Sequence, residues 1–172
     1  SSLTWLGLDW DEGPVSQSER MDLYRDYVSL LMNSGHAYYC FASQEELDEQ
    51  CQEIQDEEEE TWVYRGADRD LEADEVRKRI EAEEPHTVRF KIPDEGSITV
   101  NDLVQGEVTF ECSTIEDFVL LRSDEKPTYH LSNVVDDIEM GITHVIRGAD
   151  HLSNTPKQML VYQALDAKLP EF

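Results

Sequence analysis

Basic residues are scarce in this chain. Lys and Arg total 14 against 39 Asp and Glu in 172 residues, a formal charge of −25. Affinity for nucleic acid rests largely on neutralising phosphates, so this balance argues against holding a polyanion at ordinary ionic strength. Concentrated salt offers another reading, because it screens charge repulsion within a few ångströms. Cysteine is also sparse. Cys40, Cys51 and Cys112 are odd in number and lack CxxC spacing, so they read as reduced thiols of a cytoplasmic protein. No apolar run approaches the roughly 20 residues of a membrane-spanning helix. None has the pattern of a signal peptide, and a membrane role is not expected. The hydrophobic content of 39% is that of a globular protein able to bury a core.

The pattern alternates between helix and strand. Residues 1–11 are apolar and Trp-rich, and 12–18 reads as a turn. Leu23, Tyr27, Leu30 and Leu31 give helical spacing over 19–34, stopped by Gly35. Tyr38-Tyr39-Cys40-Phe41 reads as a buried strand. Ser43 with Glu46 forms a capping-box signature for a helix. That helix enters an acidic run over 44–60 with no basic residue, which reads as a solvated face. A further helix is expected over 72–83, and β-structure over 86–110 with a turn at Asp94-Glu95-Gly96. Phe118–Leu121 reads as another strand.

Pro127-Thr128-Tyr129-His130-Leu131-Ser132-Asn133-Val134-Val135-Asp136-Asp137 predicts a helix with Tyr129, Asn133 and Asp137 on one face. After a break at Gly141, Ile142, Val145 and Ile146 suit a buried parallel strand. Arg147 then falls at the strand's carboxyl end, where open α/β sheets bind ligands. Thr155-Pro156 supplies an N-cap and a favoured first residue for a helix over 157–165. A guanidinium facing a phenol and an amide makes a small-carboxylate site. A surface salt bridge for Arg147 and a core place for Tyr129 are the structural alternatives.

These residues also carry a resemblance. Tyr129-His130-Leu131, Val134-Val135-Asp136-Asp137, Met140-Gly141-Ile142, His144-Val145-Ile146-Arg147-Gly148 and Leu152-Ser153-Asn154-Thr155-Pro156 resemble the catalytic domain of glutamyl-tRNA synthetases, which are class I aminoacyl-tRNA synthetases. Trp5-Leu6-Gly7-Leu8-Asp9-Trp10-Asp11-Glu12-Gly13-Pro14, Gln17-Ser18-Glu19-Arg20, Gly106-Glu107-Val108-Thr109-Phe110 and Asp117-Phe118-Val119-Leu120-Leu121-Arg122-Ser123-Asp124 agree, in the same order.

The resemblance implies an α/β fold: part of a Rossmann-type catalytic domain interrupted by an inserted α+β acceptor-stem-binding domain. Residues 1–35 would close the first half of the catalytic domain, 36–116 would be the insertion, and 117–172 would begin the second half. Tyr129, Asn133 and Arg147 match glutamate-binding positions, and Asp150 and His151 match positions that approach ATP. Asp136 and Asp137 are candidates to orient Arg147 or cap the turn. Arg65, Arg69, Arg77, Lys78, Arg79, Arg89 and Lys91 form the one basic cluster and are the candidates for RNA contact; a solvated helix face explains Arg77–Arg79 equally well. Zinc-binding relatives carry Cys-x-Cys and Cys-x-His pairs. Only Cys40 matches here, with Ala42, Asp68 and Asp70 at the other positions, so no metal site is expected.

The implied activity is a glutamate–tRNA ligase, with ATP and Mg2+, L-glutamate and tRNA(Glu) as substrates and partners and a monomeric full enzyme. Transfer of glutamate to a modified tRNA base and a non-catalytic RNA-binding module are the alternatives. The HIGH-type and KMSKS-type phosphate-binding motifs and an arginine-bearing first strand are absent. The loop before Gln17 is shorter than in relatives. The chain is therefore expected to be an internal fragment, catalytically inactive alone and with no catalytic residue of its own.

Charge self-repulsion penalises the compact state at low ionic strength. Raising salt from about 0.05 to about 1 M shrinks the Debye length from above ~10 Å to about 3 Å. The melting temperature, followed by circular dichroism, is expected to rise substantially over that range. A flat or falling curve would sink the salt-adapted reading.

Overall fold

The structure is a computed structural model that describes residues 2–8, 10–57 and 63–172, with only the backbone described for Ser2, Cys51 and 53–57. The last residues of the acidic run and Trp62 lie outside the described residues. Helices are α1 (Ser2–Trp5), α2 (Met21–Asn33), α3 (Gln44–Glu57), α4 (Ala73–Glu81), α5 (Tyr129–Glu139) and α6 (Thr155–Ala164). Strands are β1 (Ala37–Cys40), β2 (Thr87–Phe90), β3 (Ser97–Asp102), β4 (Gly106–Glu111) and β5 (Val119–Leu121). This is an α/β arrangement.

Helix α2 buries Tyr24, Val28 and Leu31 along one stripe. It ends as the sequence predicts: Gly35 adopts φ +76°, His36 N–H donates to Leu31 O and Gly35 N–H to Met32 O. These are the paired bonds of a glycine-terminated helix, and they aim the chain directly into β1. Helix α3 begins with the reciprocal cap. Ser43 N–H donates to Glu46 at 2.8 Å and Glu46 N–H donates back to the Ser43 hydroxyl at 3.2 Å. The Ser43 N–H and hydroxyl, both donated to the Glu46 carboxylate, hold its carboxyl below the ordinary range.

The main sheet has order β1-β2-β5 and is antiparallel throughout. Alternation sorts β1 into two environments. Ala37 and Tyr39 face the main core, while Tyr38 and Cys40 join Leu47 and Tyr64 on the other side. The main core packs Tyr24, Val28 and Leu31 of α2 against Phe90, Phe118 and Leu120, and against Leu131, Val134 and Val135 of α5. Leu160 and Val161 of α6 complete it. Residues 86–110 form β-structure as expected, in two pieces. β2 belongs to the main sheet, whereas β3 and β4, among the described residues, pair with each other as a separate two-stranded sheet.

One expectation is corrected. The segment 142–146 is not a buried strand: Ile142 is 40% exposed and Ile146 97%. It runs extended beside Glu171, with Val145 N–H donating to Glu171 O and Glu171 N–H to Thr143 O, a single parallel bridge. The apolar run is real, but only one of its edges meets a neighbouring strand segment among the described residues, and nothing covers the Ile146 side chain.

Asp117 is the buried carboxylate around which the sheet's second face is organised; it is fully inaccessible. It accepts the Tyr38 hydroxyl at 2.9 Å and Ile92 N–H at 2.9 Å, and Arg69 Nε lies at 3.0 Å and Arg65 Nη1 at 3.4 Å. Its own N–H donates to Tyr64 O, and its carbonyl accepts Arg89. Burial and the adjoining carboxylate push the Tyr38 phenol far above its ordinary pKa, which keeps it a donor. Removing one partner from a buried ionic cluster costs about 3–5 kcal/mol, because the other charges are left uncompensated. Asp117→Ala is expected to destabilise by about that amount in chemical denaturation. A loss near zero would show that the cluster is not structural.

Candidate ligand-binding site

Thr128 fixes where α5 begins. Its N–H donates to Leu120 O at 2.8 Å and its hydroxyl to Val119 O at 2.6 Å, tying the helix start to β5. Tyr129 therefore stands on the first turn, 45% exposed, with its ring 6.2 Å from that of His151. Asn133 follows one turn later on the same face. Arg147 leaves the extended segment and reaches α6. Its Nη1 donates to Gln158 Oε1 at 2.7 Å, and its Nη2 to Thr155 Oγ1 at 2.6 Å. Gln158 Nε2 then donates to Asn133 Oδ1 at 3.2 Å. The Phe172 ring lies 5.5 Å from the guanidinium carbon.

The structure thus joins Arg147 and Asn133 through Gln158, and joins Tyr129 to the His151 turn by ring contact. Asp150 is exposed, and its carboxylate lies 3.8 Å from His151 Nε2. His151 Nδ1 is 3.2 Å from the Asn154 amide. A cavity of about 500 Å³ opens beside Arg147, bounded by Ile146, Gly148, Leu152 and Thr155, and by Leu103 and Val104 of the β3–β4 turn. Tyr129, Asn133, Asp150 and His151 do not line that cavity.

Two sequence readings need correction here. Thr155 is not a helix cap: it is the first residue of α6, is 1% exposed, and spends its hydroxyl on Arg147. Asp136 does not orient Arg147. It accepts Gln17 Nε2 at 2.8 Å, the Tyr24 hydroxyl at 2.9 Å and Arg20 at 2.8 Å. Burial and that carboxylate raise the Tyr24 phenol to about 12. Asp137 instead accepts the Tyr162 hydroxyl at 3.3 Å, and burial raises its carboxyl pKa. Gln17-Ser18-Glu19-Arg20 and Val134-Val135-Asp136-Asp137 are thus two ends of one contact between α2 and α5.

Sequence reasoning missed Gln158. The available signal was a polar residue inside Pro156–Tyr162, a stretch that apart from Lys157 is otherwise apolar and buried. A buried amide has to find partners.

The basic candidates separate into groups. Arg65 donates to the Cys112 and Ile115 carbonyls, Arg69 pairs with Asp94 and Asp117, and Arg89 donates to Asp117 O while stacking 4.2 Å over Tyr64. Arg79 pairs with Glu84 over the Phe41 ring, and Lys91 with Asp70. Arg77 and Lys78 project from α4, their side chains 67% and 73% exposed, each near an acidic residue three positions back. Five of the seven cations are therefore held in tertiary ionic or backbone contacts.

A helix face presenting a phenol and an amide, joined to an arginine on a separate segment of an α/β protein, sets out groups with the chemistry to meet a carboxylate. The whole chain, residues 1–172, matches the family "tRNA synthetases class I (E and Q), catalytic domain", and the protein belongs to that family. It is 46% identical to glutamate–tRNA ligase 1 of Caldanaerobacter subterraneus subsp. tengcongensis and 50% identical to glutamate–tRNA ligase 2 of Koribacter versatilis. Each match covers 99% of this chain and 35% of the relative. A crystal structure of a glutamate tRNA ligase from Elizabethkingia meningosepticum, in complex with its amino acid, superposes with a TM-score of 0.88 at 35% identity. That match covers 99% of this chain and 37% of that one. The chain thus spans about a third of the length of the curated relatives it matches.

His130, between the Phe118 and Tyr129 rings, supplies a pH test. Burial, with Lys157 nearby, lowers its pKa to about 4, and its buried Nδ1 has no hydrogen-bond partner among the described residues. The unfolded imidazole takes a proton near 6.5. Between those values the unfolded state binds more protons, so stability falls as pH drops from about 6.5 to about 4. His130→Phe is expected to flatten thermal stability across that window. An unchanged slope would show that His130 does not titrate there.

Proposed function

We propose that this chain is the part of a glutamate–tRNA ligase that completes the amino-acid site: the full enzyme activates L-glutamate with ATP and transfers it to tRNA(Glu). The observation that carries the reading is the Arg147–Gln158–Asn133 network beside the exposed Tyr129. Arg147 supplies charged donors for a carboxylate, while the phenol and amide fix its orientation without adding charge. Asp150 and His151, on the turn facing Tyr129, approach ATP, which enters with Mg2+. Such a reaction needs no covalent enzyme intermediate; aligned substrates and fixed electrostatics carry the rate.

Residues 36–116 form the insertion that meets the tRNA acceptor stem, between catalytic halves at 1–35 and 117–172. Arg77 and Lys78 are the basic candidates with exposed head groups that support RNA contact. Arg65, Arg69, Arg79, Arg89 and Lys91 act there through the scaffold they hold. The site uses no zinc: the Cys40 thiol lies 3.2 Å from the Tyr64 hydroxyl, Asp68 accepts Phe41 N–H, and Asp70 pairs with Lys91. The enzyme works as a cytoplasmic monomer adapted to salt, a setting its acidity favours.

In the full-length enzyme, Arg147→Ala is expected to raise the glutamate KM and lower kcat/KM by about 2–4 kcal/mol of transition-state stabilisation, the cost of losing a charged hydrogen-bonding partner. Steady-state aminoacylation kinetics check this. Unchanged glutamate parameters would remove Arg147 from the ligand site.

A further inference from the structure

Gln158 is 1% exposed, so water does not satisfy its amide, and both ends must be matched within the protein. Arginine has no acceptor. The end of Gln158 that meets Arg147 Nη1 at 2.7 Å is therefore the carbonyl oxygen, and the NH2 end is forced toward Asn133. An NH2 group needs an acceptor, so Asn133 must turn Oδ1 inward at 3.2 Å. Its own NH2 is left without a hydrogen bond among the described residues, as is the Tyr129 hydroxyl. One buried amide on α6 thus dictates the polarity of a second on the adjoining helix α5.

We infer that Gln158 is a positioning residue that turns the Asn133 NH2 outward beside Arg147, so that N–H donors predominate in the site and select a carboxylate over the isosteric carboxamide. The inference rests on the reading of Tyr129, Asn133 and Arg147 as the amino-acid site and adds what sets its specificity. With Asn133 Oδ1 engaged, the groups free to meet a ligand are N–H donors of Asn133 and of Arg147, together with the Tyr129 hydroxyl. A carboxylate offers only acceptors and satisfies them. A carboxamide in the same place would bring its NH2 against the N–H groups of Asn133 and Arg147, with only the Tyr129 hydroxyl able to accept, and polar groups left unpaired are what a hydrogen-bonding site rejects most strongly. Thr155 assists by taking Arg147 Nη2 at 2.6 Å, which holds the guanidinium plane while Gln158 sets the amide.

The test uses the full-length enzyme with glutamate and glutamine as competing amino acids in tRNA aminoacylation. Gln158→Glu replaces the donor with a second acceptor, so Asn133 must turn its NH2 inward and present Oδ1 to the ligand. The kcat/KM for glutamate is expected to fall about tenfold or more. That for glutamine should fall much less, so the glutamate-to-glutamine ratio shrinks by about tenfold. The KM for ATP and the melting temperature should hold. Gln158→Met, close in volume and apolar, frees Asn133 to take either orientation and should move the ratio in the same direction by less, which covers the case in which the charged variant fails to fold. If both variants lower the two amino acids equally, or leave the ratio unchanged, Gln158 only packs and the inference is overturned. If Arg147→Ala leaves glutamate kinetics untouched, the underlying site assignment fails instead.

Discussion

A single carboxylate with no access to water holds the sheet and its connections together. Asp117 ties Tyr38 of β1, the chain after β2 through Ile92, and two arginines from the segment before α4 to the start of β5. Burying an unpaired carboxylate would cost more than a domain's net stability can absorb, so those partners must be in place whenever the chain is folded. The consequence reaches the candidate site. β5 is short, and Thr128 is bonded to Leu120 and Val119 within it, so the placement of Asp117 passes through β5 to the start of α5. Tyr129 and Asn133 take their positions from there.

A second carboxylate, Asp136, does for the helices what Asp117 does for the sheet. It collects Gln17 and Arg20 from the turn before α2, and Tyr24 from its first turn, on the inner face of α5. Hydrophobic packing of Tyr24, Val28 and Leu31 against Val134 and Val135 supplies the area, but it is non-directional. The charged contact sets the register, which is why α5 presents its Tyr129–Asn133 edge outward.

In a chain with this excess of acid, cations are a limited resource. Most of the basic residues are committed to internal pairs: Arg20 to Asp136, Arg65 and Arg69 to Asp117, Arg79 to Glu84, Lys157 to Glu116. Arg147 differs in kind. Its described partners are a neutral hydroxyl, a neutral amide and an aromatic ring; Asp102 and Asp137 feel its charge, but among the described residues no carboxylate forms a salt bridge with it. An arginine held by neutral acceptors in an acidic protein keeps its attraction for an anionic ligand.

Local sequence determined a good deal. Helix α2 and its glycine stop, the Ser43–Glu46 cap, the β1 alternation and α5 with Tyr129 and Asn133 on one face follow from neighbours within a few residues, and each formed where the pattern placed it. Arg147 was singled out as a candidate through its setting between an apolar run and a polar loop. Tertiary structure decided the remainder, because the partners are remote in sequence. Whether residues 142–146 become a buried strand depends on what lies beside both edges, not on their own apolarity. The seven basic residues share a sign but not a role, and only the position of Asp117 separated the buried arginines from Arg77 and Lys78. Asp136 turned to Arg20 rather than Arg147 because α2 packs there. Gln158 acquired its place because a buried amide and an arginine without acceptors admit one pairing, and no window of sequence brings residues 133, 147 and 158 together.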